Sequence, residues 1–140
     1  ALLLDNQLCF AVYSASLAMT KLYKPLLKKL GLTDPQYLVM LVLWEQDGLT
    51  VSALGERLFL DSGTLTPLLK RMEQSGLVTR QRSAEDERRV EVRLTSDGKK
   101  LKTRTASVPA CVVEAAGCPI SELMTLTHEV QALRNRLTGT

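Results

Sequence analysis

The chain has 140 residues, of which 45% are hydrophobic and 24% charged, the balance typical of one soluble globular domain. It contains no uncharged apolar run of membrane-spanning length, and its first ten residues lack a basic segment, so we expect neither a transmembrane helix nor a signal peptide. Three cysteines and the single His128 form no CxxC motif and no ligand pair at metal spacing, so neither a zinc site nor a disulfide framework is expected.

The positive charge is concentrated in one part of the chain. The formal net charge is +3, yet residues 70–104 carry 11 cations against six anions, a local charge of +5 that leaves −2 for the remainder. A basic segment on a near-neutral body suggests a polyanionic partner. A solvated charged surface gives the same composition and is the alternative.

The first third of the chain predicts two helices. Over residues 2–30, steps of three and four place one row of apolar side chains on one helix face: Leu4, Leu8, Val12, Ala15, Met19, Leu22, Leu26 and Leu30. Pro25 is expected to bend this helix and Gly31 to end it. Thr33, Asp34 and Pro35 then form a helix start signal. The following segment, PQYLVMLVLWEQD, is apolar nearly all round, which predicts a buried central helix that ends at Asp47–Gly48.

A short helix is predicted to open at Thr50 and to run through Leu58, and a second helix ends at Ser75–Gly76. The sequence does not decide at which residue the second helix begins. Asp61 could cap it, with Pro67 inside the helix, or a start nearer Thr64 would place Pro67 in the first turn. The side chains expected to face inward are Leu65, Leu68, Leu69 and Met72.

The apolar period then changes from 3.6 to 2. Residues 77–80 read as a strand, residues 83–88 as a polar turn, and Val90, Val92 and Leu94 alternate with charged residues in a second strand. The two strands predict a β-hairpin that carries several arginines.

Helical patterning resumes over residues 96–116, with a break expected at Pro109, followed by a turn at residues 117–119 and a last helix capped by Ser121. That helix carries an a/d seam with steps of 3, 4, 3 and 4: Leu123, Leu126, Val130, Leu133 and Leu137. This seam could pack either against the same helix of a second subunit or against the core of its own chain.

The order of short helix, turn, second helix and basic hairpin is that of a winged helix–turn–helix, so the predicted fold is mainly α with a small β-hairpin. Residues 32–95 would form the DNA-binding module, and residues 1–31 and 96–140 the dimerisation helices, within a single domain. The predicted partners are a second copy of the chain and a pseudo-palindromic double-stranded DNA operator, with two recognition helices about 34 Å apart. The candidate DNA-contacting residues are Ser62, Thr64, Thr66, Lys70, Arg71, Arg80, Arg82, Asp86 and Arg88.

Four segments carry a resemblance to a known family: LDNQLCFAVYSAS, PQYLVMLVLWE, LGERLFLDSGTLTPLLKRMEQSGLVTR and DERRV. They resemble the MarR family of bacterial repressors and, within it, the organic-hydroperoxide-sensing branch called OhrR. The resemblance implies an intertwined cytoplasmic homodimer that is a regulator and not an enzyme, with no cofactor. It also implies that the helix after Asp61 reads DNA, that Arg88 enters the minor groove, and that Cys9 is the peroxide-sensing thiol.

Cys9 is predicted to lie in the second turn of the first helix, although a cysteine on an amphipathic helix is more often a small core residue. A thiol reacts as its thiolate, so it needs hydrogen-bond donors. Tyr13, at i+4, can lie over Cys9, whereas Tyr23 is roughly 21 Å away along the same helix. The resemblance implies that tyrosines of the partner subunit supply these donors and that Tyr23 is one of them. The family pattern TYPQY reads TDPQY here, so Asp34 replaces the second tyrosine, and Tyr37 is a candidate to compensate.

The predicted mechanism begins with oxidation of Cys9 to a sulfenic acid, which a second thiol converts to a disulfide. The disulfide changes the spacing or tilt of the two DNA-reading modules. Cys118, at the turn, is favoured as the resolving thiol over Cys111; a sensor with one cysteine is the third option. Three other readings stay open: a MarR-type repressor gated by a small phenolic or lipophilic ligand, a thiol peroxidase, and a helical scaffold that does not bind DNA.

Overall fold

The computed structural model describes residues 2–139, and the chain divides into two compact units, Ala1–Thr105 and Ala106–Thr140. The first unit contains the helices α1 (Leu8–Lys28), α2 (Asp34–Glu45), α3 (Val51–Leu58), α4 (Ser62–Gln74) and α5 (Ser96–Thr105). It also contains the strands β1 (Leu49–Thr50), β2 (Val78–Arg82) and β3 (Val90–Leu94). The second unit consists of α6 (Val108–Ala116) and α7 (Ile120–Thr138). The mainly helical fold with a small β-hairpin is therefore confirmed.

Helix α1 begins later than the sequence pattern predicts. Residues Leu4–Asn6 form a short 3₁₀ helix, and Gln7 adopts an extended conformation (φ −93°, ψ 117°) that separates it from α1. Cys9 is therefore the second residue of α1 and lies in its first turn, so its predicted place in the second turn is wrong. At the other end the helix continues past Pro25, and Gly31, with φ +73°, follows its last turn as predicted.

Helix α2 starts with the predicted signal, which forms a complete capping box. The Oγ1 atom of Thr33 accepts a hydrogen bond from the backbone N–H of Gln36 at 3.4 Å, and Gln36 Oε1 accepts one from the Thr33 N–H at 3.1 Å. The prediction that α2 is buried on all sides is only partly correct. Leu38 and Leu41 are 46% and 41% exposed, because their face of the helix borders an open cleft between α1 and α2.

The start of α4, which the sequence leaves open, is set by Asp61. Its Oδ1 atom accepts a hydrogen bond from the backbone N–H of Thr64 at 2.7 Å, and its carbonyl oxygen accepts one from Leu65 at 3.0 Å. The helix therefore begins at Ser62, and Pro67 lies in its second turn. Proline there removes a hydrogen bond to the carbonyl of Gly63, an exposed residue that water can reach.

The three strands form one antiparallel sheet in the order β1-β3-β2. The predicted hairpin is β2 and β3, with Val78 opposite Leu94 and Arg82 opposite Val90. Strand β1 has only two residues, too few for an alternating pattern, and pairs Leu49 with Val92. The apolar core of the first unit lies between the sheet and the helices and includes Leu27, Val39, Met40, Leu43, Leu54, Leu65, Leu69, Met72, Val78 and Val92.

Two details of the C-terminal helices differ from the prediction. The break between α5 and α6 falls at residues 106–107, and Pro109 lies in the first turn of α6, where its missing N–H costs no hydrogen bond. Ser121 does not cap α7: Pro119 occupies the N-cap position, and within residues 2–139 no side chain makes a capping hydrogen bond there. Along the predicted seam, Leu126, Val130 and Leu137 are exposed.

Among the described residues, no single helix is both long and apolar enough to cross a membrane. By length and composition alone, one bent pair of helical segments, residues 96–116 and 120–138, meets the requirement.

Candidate nucleic-acid interface and thiol site

The N-terminal half of α4 presents small polar side chains to solvent. Ser62 and Thr64 are exposed, Thr66 is half-buried, and Lys70 and Arg71 are exposed one to two turns later. The opposite face packs inward as predicted, through Leu65, Leu68, Leu69 and Met72. The hydrogen bonds that Asp61 accepts from Thr64 hold the pKa of the Asp61 carboxyl below its usual range, so this helix start carries a negative charge at neutral pH.

The turn between α3 and α4 is tight, and backbone groups hold it. The N–H of Leu60 donates to the carbonyl of Gly55 at 3.0 Å, and a Cβ on Gly55 would lie 2.6 Å from the carbonyl oxygen of Leu60. Glycine at position 55 is therefore needed for this close approach. Phe59 lies between these two residues with a left-handed backbone, φ 57° and ψ 37°.

Arg80 binds the wing, which is the hairpin formed by β2 and β3, to α4. Its backbone N–H donates to Glu73 Oε2 at 3.2 Å, and its guanidinium donates twice to Glu73 Oε1, at 3.1 and 3.3 Å. These hydrogen bonds and the arginine's charge hold the pKa of Glu73 below its ordinary value. The contact of Arg80 with DNA stays a prediction, and the structure gives this arginine a positioning role that the sequence did not indicate.

The tip of the wing carries the remaining predicted groups. Arg82 donates to the carbonyl of Glu87 at 3.0 Å, which closes the tip across the two strands. Asp86 accepts a hydrogen bond from the Arg88 N–H at 3.0 Å and lies 3.6 Å from its guanidinium. The predicted Asp86–Arg88 pair is therefore confirmed, and the Arg88 side chain is 94% exposed.

The end of α2 is bound to the base of the wing and to α5 by groups that the sequence analysis missed. Asp47 Oδ1 accepts the backbone N–H of Leu94 and of Gly48, both at 2.9 Å. Trp44 Nε1 donates to the carbonyl of Gly98 at 2.9 Å. The Asp–Gly pair after the helix was the available sequence signal for Asp47. It indicated that the helix ends there, but not that Asp47 accepts a hydrogen bond from Leu94.

The three cysteines are free thiols. Cys9 is exposed in the first turn of α1, Cys111 is half-buried in α6, and Cys118 is half-buried directly before Pro119, the N-cap of α7. Desolvation raises the pKa of Cys118, and the Glu122 carboxylate, to which the thiol donates a hydrogen bond, raises it further. Cys118 is therefore held as a neutral thiol at neutral pH.

Tyr23 and Tyr37 meet in the cleft between α1 and α2, with ring centroids 5.9 Å apart and an interplanar angle of 39°. Desolvation raises the pKa of both phenols, and the charge of Asp34 adds to the shift of Tyr23, so both remain protonated hydrogen-bond donors. The cleft has a volume of about 370 Å³ and is lined in part by Asp34, Leu38 and Leu41. One Asp34 oxygen, Oδ1, is buried and has no hydrogen-bond partner among residues 2–139. Tyr13 is exposed on α1.

Comparison with known proteins places the chain in a family. Residues 21–105 match the family model described as transcriptional regulator SarA/Rot. The chain is 59% identical over 110 residues to the organic hydroperoxide resistance transcriptional regulator of Bacillus subtilis (strain 168), covering 79% of this chain and 75% of that protein. The chain belongs to the MarR-type transcriptional regulators. The predicted family is thereby confirmed, and with it the assignment to regulators instead of enzymes.

A MarR-type regulator of known structure, AbfR of Staphylococcus epidermidis, superposes with a TM-score of 0.81 at 37% identity, covering 98% of this chain and 95% of that one. The reduced form of AbfR bound to DNA matches with a TM-score of 0.74 at 36% identity, covering 98% and 96%. Its disulfide form matches with a TM-score of 0.70 at 36% identity, covering 98% and 93%. The winged helix–turn–helix fold is confirmed by these superpositions.

Proposed function

We propose that this chain is a cytoplasmic, homodimeric repressor that binds DNA, senses organic hydroperoxides through Cys9 and leaves its operator when Cys9 is oxidised. The single observation that carries the proposal is the exposed thiol of Cys9 in the first turn of α1, in a chain with a complete DNA-reading module. The identity of 59% to an organic hydroperoxide resistance regulator supports the signal, and the DNA-bound and disulfide forms of AbfR support the coupling.

In this proposal, α4 enters the major groove with its N-terminal half first, because its diameter and small polar side chains suit that groove. Ser62 and Thr64 meet base edges or phosphates, and Lys70 and Arg71 meet the backbone or guanine edges. The exposed Arg88 reaches the adjacent minor groove while Asp86 restricts its direction. Glu73 and Arg80 keep the wing at a fixed position relative to α4, so both contacts form together.

The sensing step converts the Cys9 thiol and an organic hydroperoxide into a sulfenic acid and an alcohol. A resolving thiol then attacks the Cys9 sulfur, the S–O bond breaks, and the products are a disulfide and water. The donors proposed for Cys9 are Tyr13 of the same helix and the phenols of Tyr23 and Tyr37 from the partner subunit's cleft. Both cleft phenols keep their protons, as a donor must.

Cys118 remains the preferred resolving thiol. It lies between Gly117, which has a left-handed backbone with φ +67°, and Pro119, outside any helical hydrogen-bond ladder. Cys111 lies within α6, where its N–H donates to the Ser107 carbonyl at 3.3 Å. The raised pKa of Cys118 lowers its thiolate fraction and so its direct reaction with peroxide, and attack on the sulfenic acid requires that Cys118 first lose its proton.

The test compares the wild-type chain with Cys9→Ser, Cys111→Ser and Cys118→Ser, each bound to a fluorescent operator duplex and titrated with cumene hydroperoxide. We expect the wild type and Cys111→Ser to leave DNA, Cys9→Ser to stay bound, and Cys118→Ser to stop at the sulfenic acid. Peptide mapping without reductant is expected to give a Cys9–Cys118 cross-link. A Cys9–Cys111 peptide would reverse the choice of resolving thiol, and release of Cys9→Ser by peroxide would exclude Cys9 as the sensor.

A second candidate function is gating by a small phenolic or lipophilic ligand. The open cleft of about 370 Å³ between α1 and α2, lined by the apolar side chains of Met19, Leu38 and Leu41 and by two phenols, favours this reading. The same DNA-release assay, with a small phenol in place of the hydroperoxide, separates the two, because a ligand-gated repressor then releases DNA from Cys9→Ser, whereas a thiol sensor does not.

A further inference from the structure

The cleft between α1 and α2 carries electric charge at one place in its lining. Most of the wall is apolar, with Met19 on α1 facing Leu38 and Leu41 on α2, and the two tyrosine rings add their phenol groups. Asp34 precedes Tyr37 by three residues on α2, which places both side chains on the same side of that helix. Among the described residues that line the cleft, Asp34 is the one with an ionised side chain.

The charge of Asp34 acts inside the cleft. It adds to desolvation in raising the pKa of Tyr23, which lies on the facing helix α1. One oxygen of Asp34 is buried, so water screens this charge less than it screens a fully exposed carboxylate. Asp34 also lines a neighbouring open cavity together with Lys24 and Lys28, but within residues 2–139 neither lysine forms an ion pair with it. The cleft therefore keeps a negative potential.

The size of the cleft brings any occupant close to this charge. In the proposed function, Tyr23 and Tyr37 donate to Cys9 of the partner subunit, so the hydroperoxide that this thiol reduces lies against the same cleft. A compact volume of about 370 Å³ is only about 7 Å across. At that separation, repulsion between two like charges lowers a rate about threefold in bulk water and about fiftyfold at the effective dielectric of a protein surface.

We propose that Asp34 is a specificity-determining residue that makes the sensor respond to uncharged organic hydroperoxides and discriminate against those that carry a carboxylate. The apolar wall of the cleft accepts a hydrocarbon group, and Asp34 repels a negatively charged one. Asp5, which is exposed and lies four residues before Cys9, adds a weaker repulsion because water and salt screen it. This inference rests on the proposed function and names the substrate class of the same site.

The test compares two hydroperoxides that differ in charge at one position: cumene hydroperoxide with a carboxylate in the para position, and the methyl ester of that compound. Each reacts with the full-length protein at pH 7 and low salt, and mass spectrometry follows the loss of the reduced Cys9 peptide. The ratio of the two rate constants is divided by the same ratio for β-mercaptoethanol, an uncharged thiol. We expect the wild type to react roughly tenfold faster with the ester, between the two limits given above.

Substitutions of Asp34 separate its charge from its shape. Asp34→Asn removes the charge at nearly constant shape, and should speed the reaction with the carboxylate more than that with the ester. The ratio should fall to about twofold, which the charge of Asp5 maintains. Asp34→Ser, which helix N-termini also accept, should do the same, and Asp34→Glu should retain most of the discrimination. Glu45→Gln removes a carboxylate from the other end of α2 and, as the matched control, should keep the wild-type ratio.

Salt provides a readout that a purely structural role of Asp34 would not move. In about 1 M salt the screening length falls to about 3 Å, so the wild-type ratio should approach that of Asp34→Asn. A ratio set by the shape of the cleft would stay constant.

A wild-type ratio near one would overturn the inference, and so would a ratio that both Asp34→Asn and Asp34→Ser leave at the wild-type value. A wild-type ratio that does not change with salt would make the discrimination steric and would overturn it as well. If neither hydroperoxide oxidises Cys9 in the wild type, the proposed function itself fails, a result distinct from equal oxidation by both compounds.

Discussion

Replacement of Gly55 by alanine tests the tight turn in front of the recognition helix. The new Cβ would lie 2.6 Å from the carbonyl oxygen of Leu60, whereas real Cβ atoms essentially never approach closer than 3.0 Å. Since the opposing atom belongs to the backbone, the turn itself must move by at least a few tenths of an ångström. Overpacking of this kind costs about 2 kcal/mol, and alanine recovers about 1 kcal/mol of helix propensity. The expected net destabilisation is about 1 kcal/mol.

Two matched substitutions bracket this value. Gly63→Ala in α4 meets only the Asp61 carboxylate, at 3.3 Å, and gains helix propensity, so it should leave stability unchanged or raise it by up to about 1 kcal/mol. Gly98→Ala in α5 would place its Cβ well inside contact distance of the Leu77 carbonyl oxygen and 3.3 Å from Leu94, so it should be the most destabilising of the three. At about 3 °C per kcal/mol, thermal denaturation at fixed protein concentration resolves this order.

The turn also sets the position of α4, so Gly55→Ala should weaken operator binding by more than its loss of stability explains. Anisotropy titrations well below the melting temperature measure this effect, because nearly all of the protein is then folded. If Gly55→Ala melts at or above the wild-type temperature and binds DNA normally, the close approach of Gly55 to Leu60 does not constrain the reading module, and the argument fails.

Two further predictions concern the wing. Because the pKa of Glu73 is lowered from 4.5 in the folded state, its contribution to stability is present above that value and is lost as the pH falls through the folded-state pKa. The melting-temperature difference between wild type and Glu73→Gln should therefore be largest near pH 7 and shrink below about pH 4.5. Glu85→Gln, elsewhere in the wing, is the control. A difference for Glu73→Gln that stays constant with pH, or an equally large difference for Glu85→Gln, would contradict the stabilising role of the Glu73–Arg80 contact. Arg88→Ala removes one arginine from each subunit of the dimer, so it should weaken operator binding and lower the slope of log K against log salt by up to about 1.8, about 0.9 for each phosphate neutralisation lost. Arg136→Ala, on α7, should change neither quantity, and an unchanged slope for Arg88→Ala would place that guanidinium away from the phosphates.

The local sequence determined most of the elements, because their signals lie within a few residues of each other. Thr33 with Gln36 fixed the start of α2, the change of period near residue 77 located the wing, and Gly31 and Gly117 follow the helix ends they were expected to mark. The sequence also determined the family, since segments such as LDSGTLTPLLKRME are specific in themselves. Asp86 with Arg88 was readable because the pair is only two residues apart.

Only the tertiary structure decided features whose partners are distant along the chain or whose geometry is not periodic. The bond between Glu73 and Arg80 joins a helix to a strand, and Asp47 reaches Leu94 across 47 residues, so no local pattern marks either contact. The exposure of Leu38 and Leu41 depends on which neighbours cover α2, which an apolar sequence does not specify. The left-handed backbone of Phe59 follows from the way α3 and α4 pack around Gly55, because side-chain preference alone predicts the opposite sign of φ.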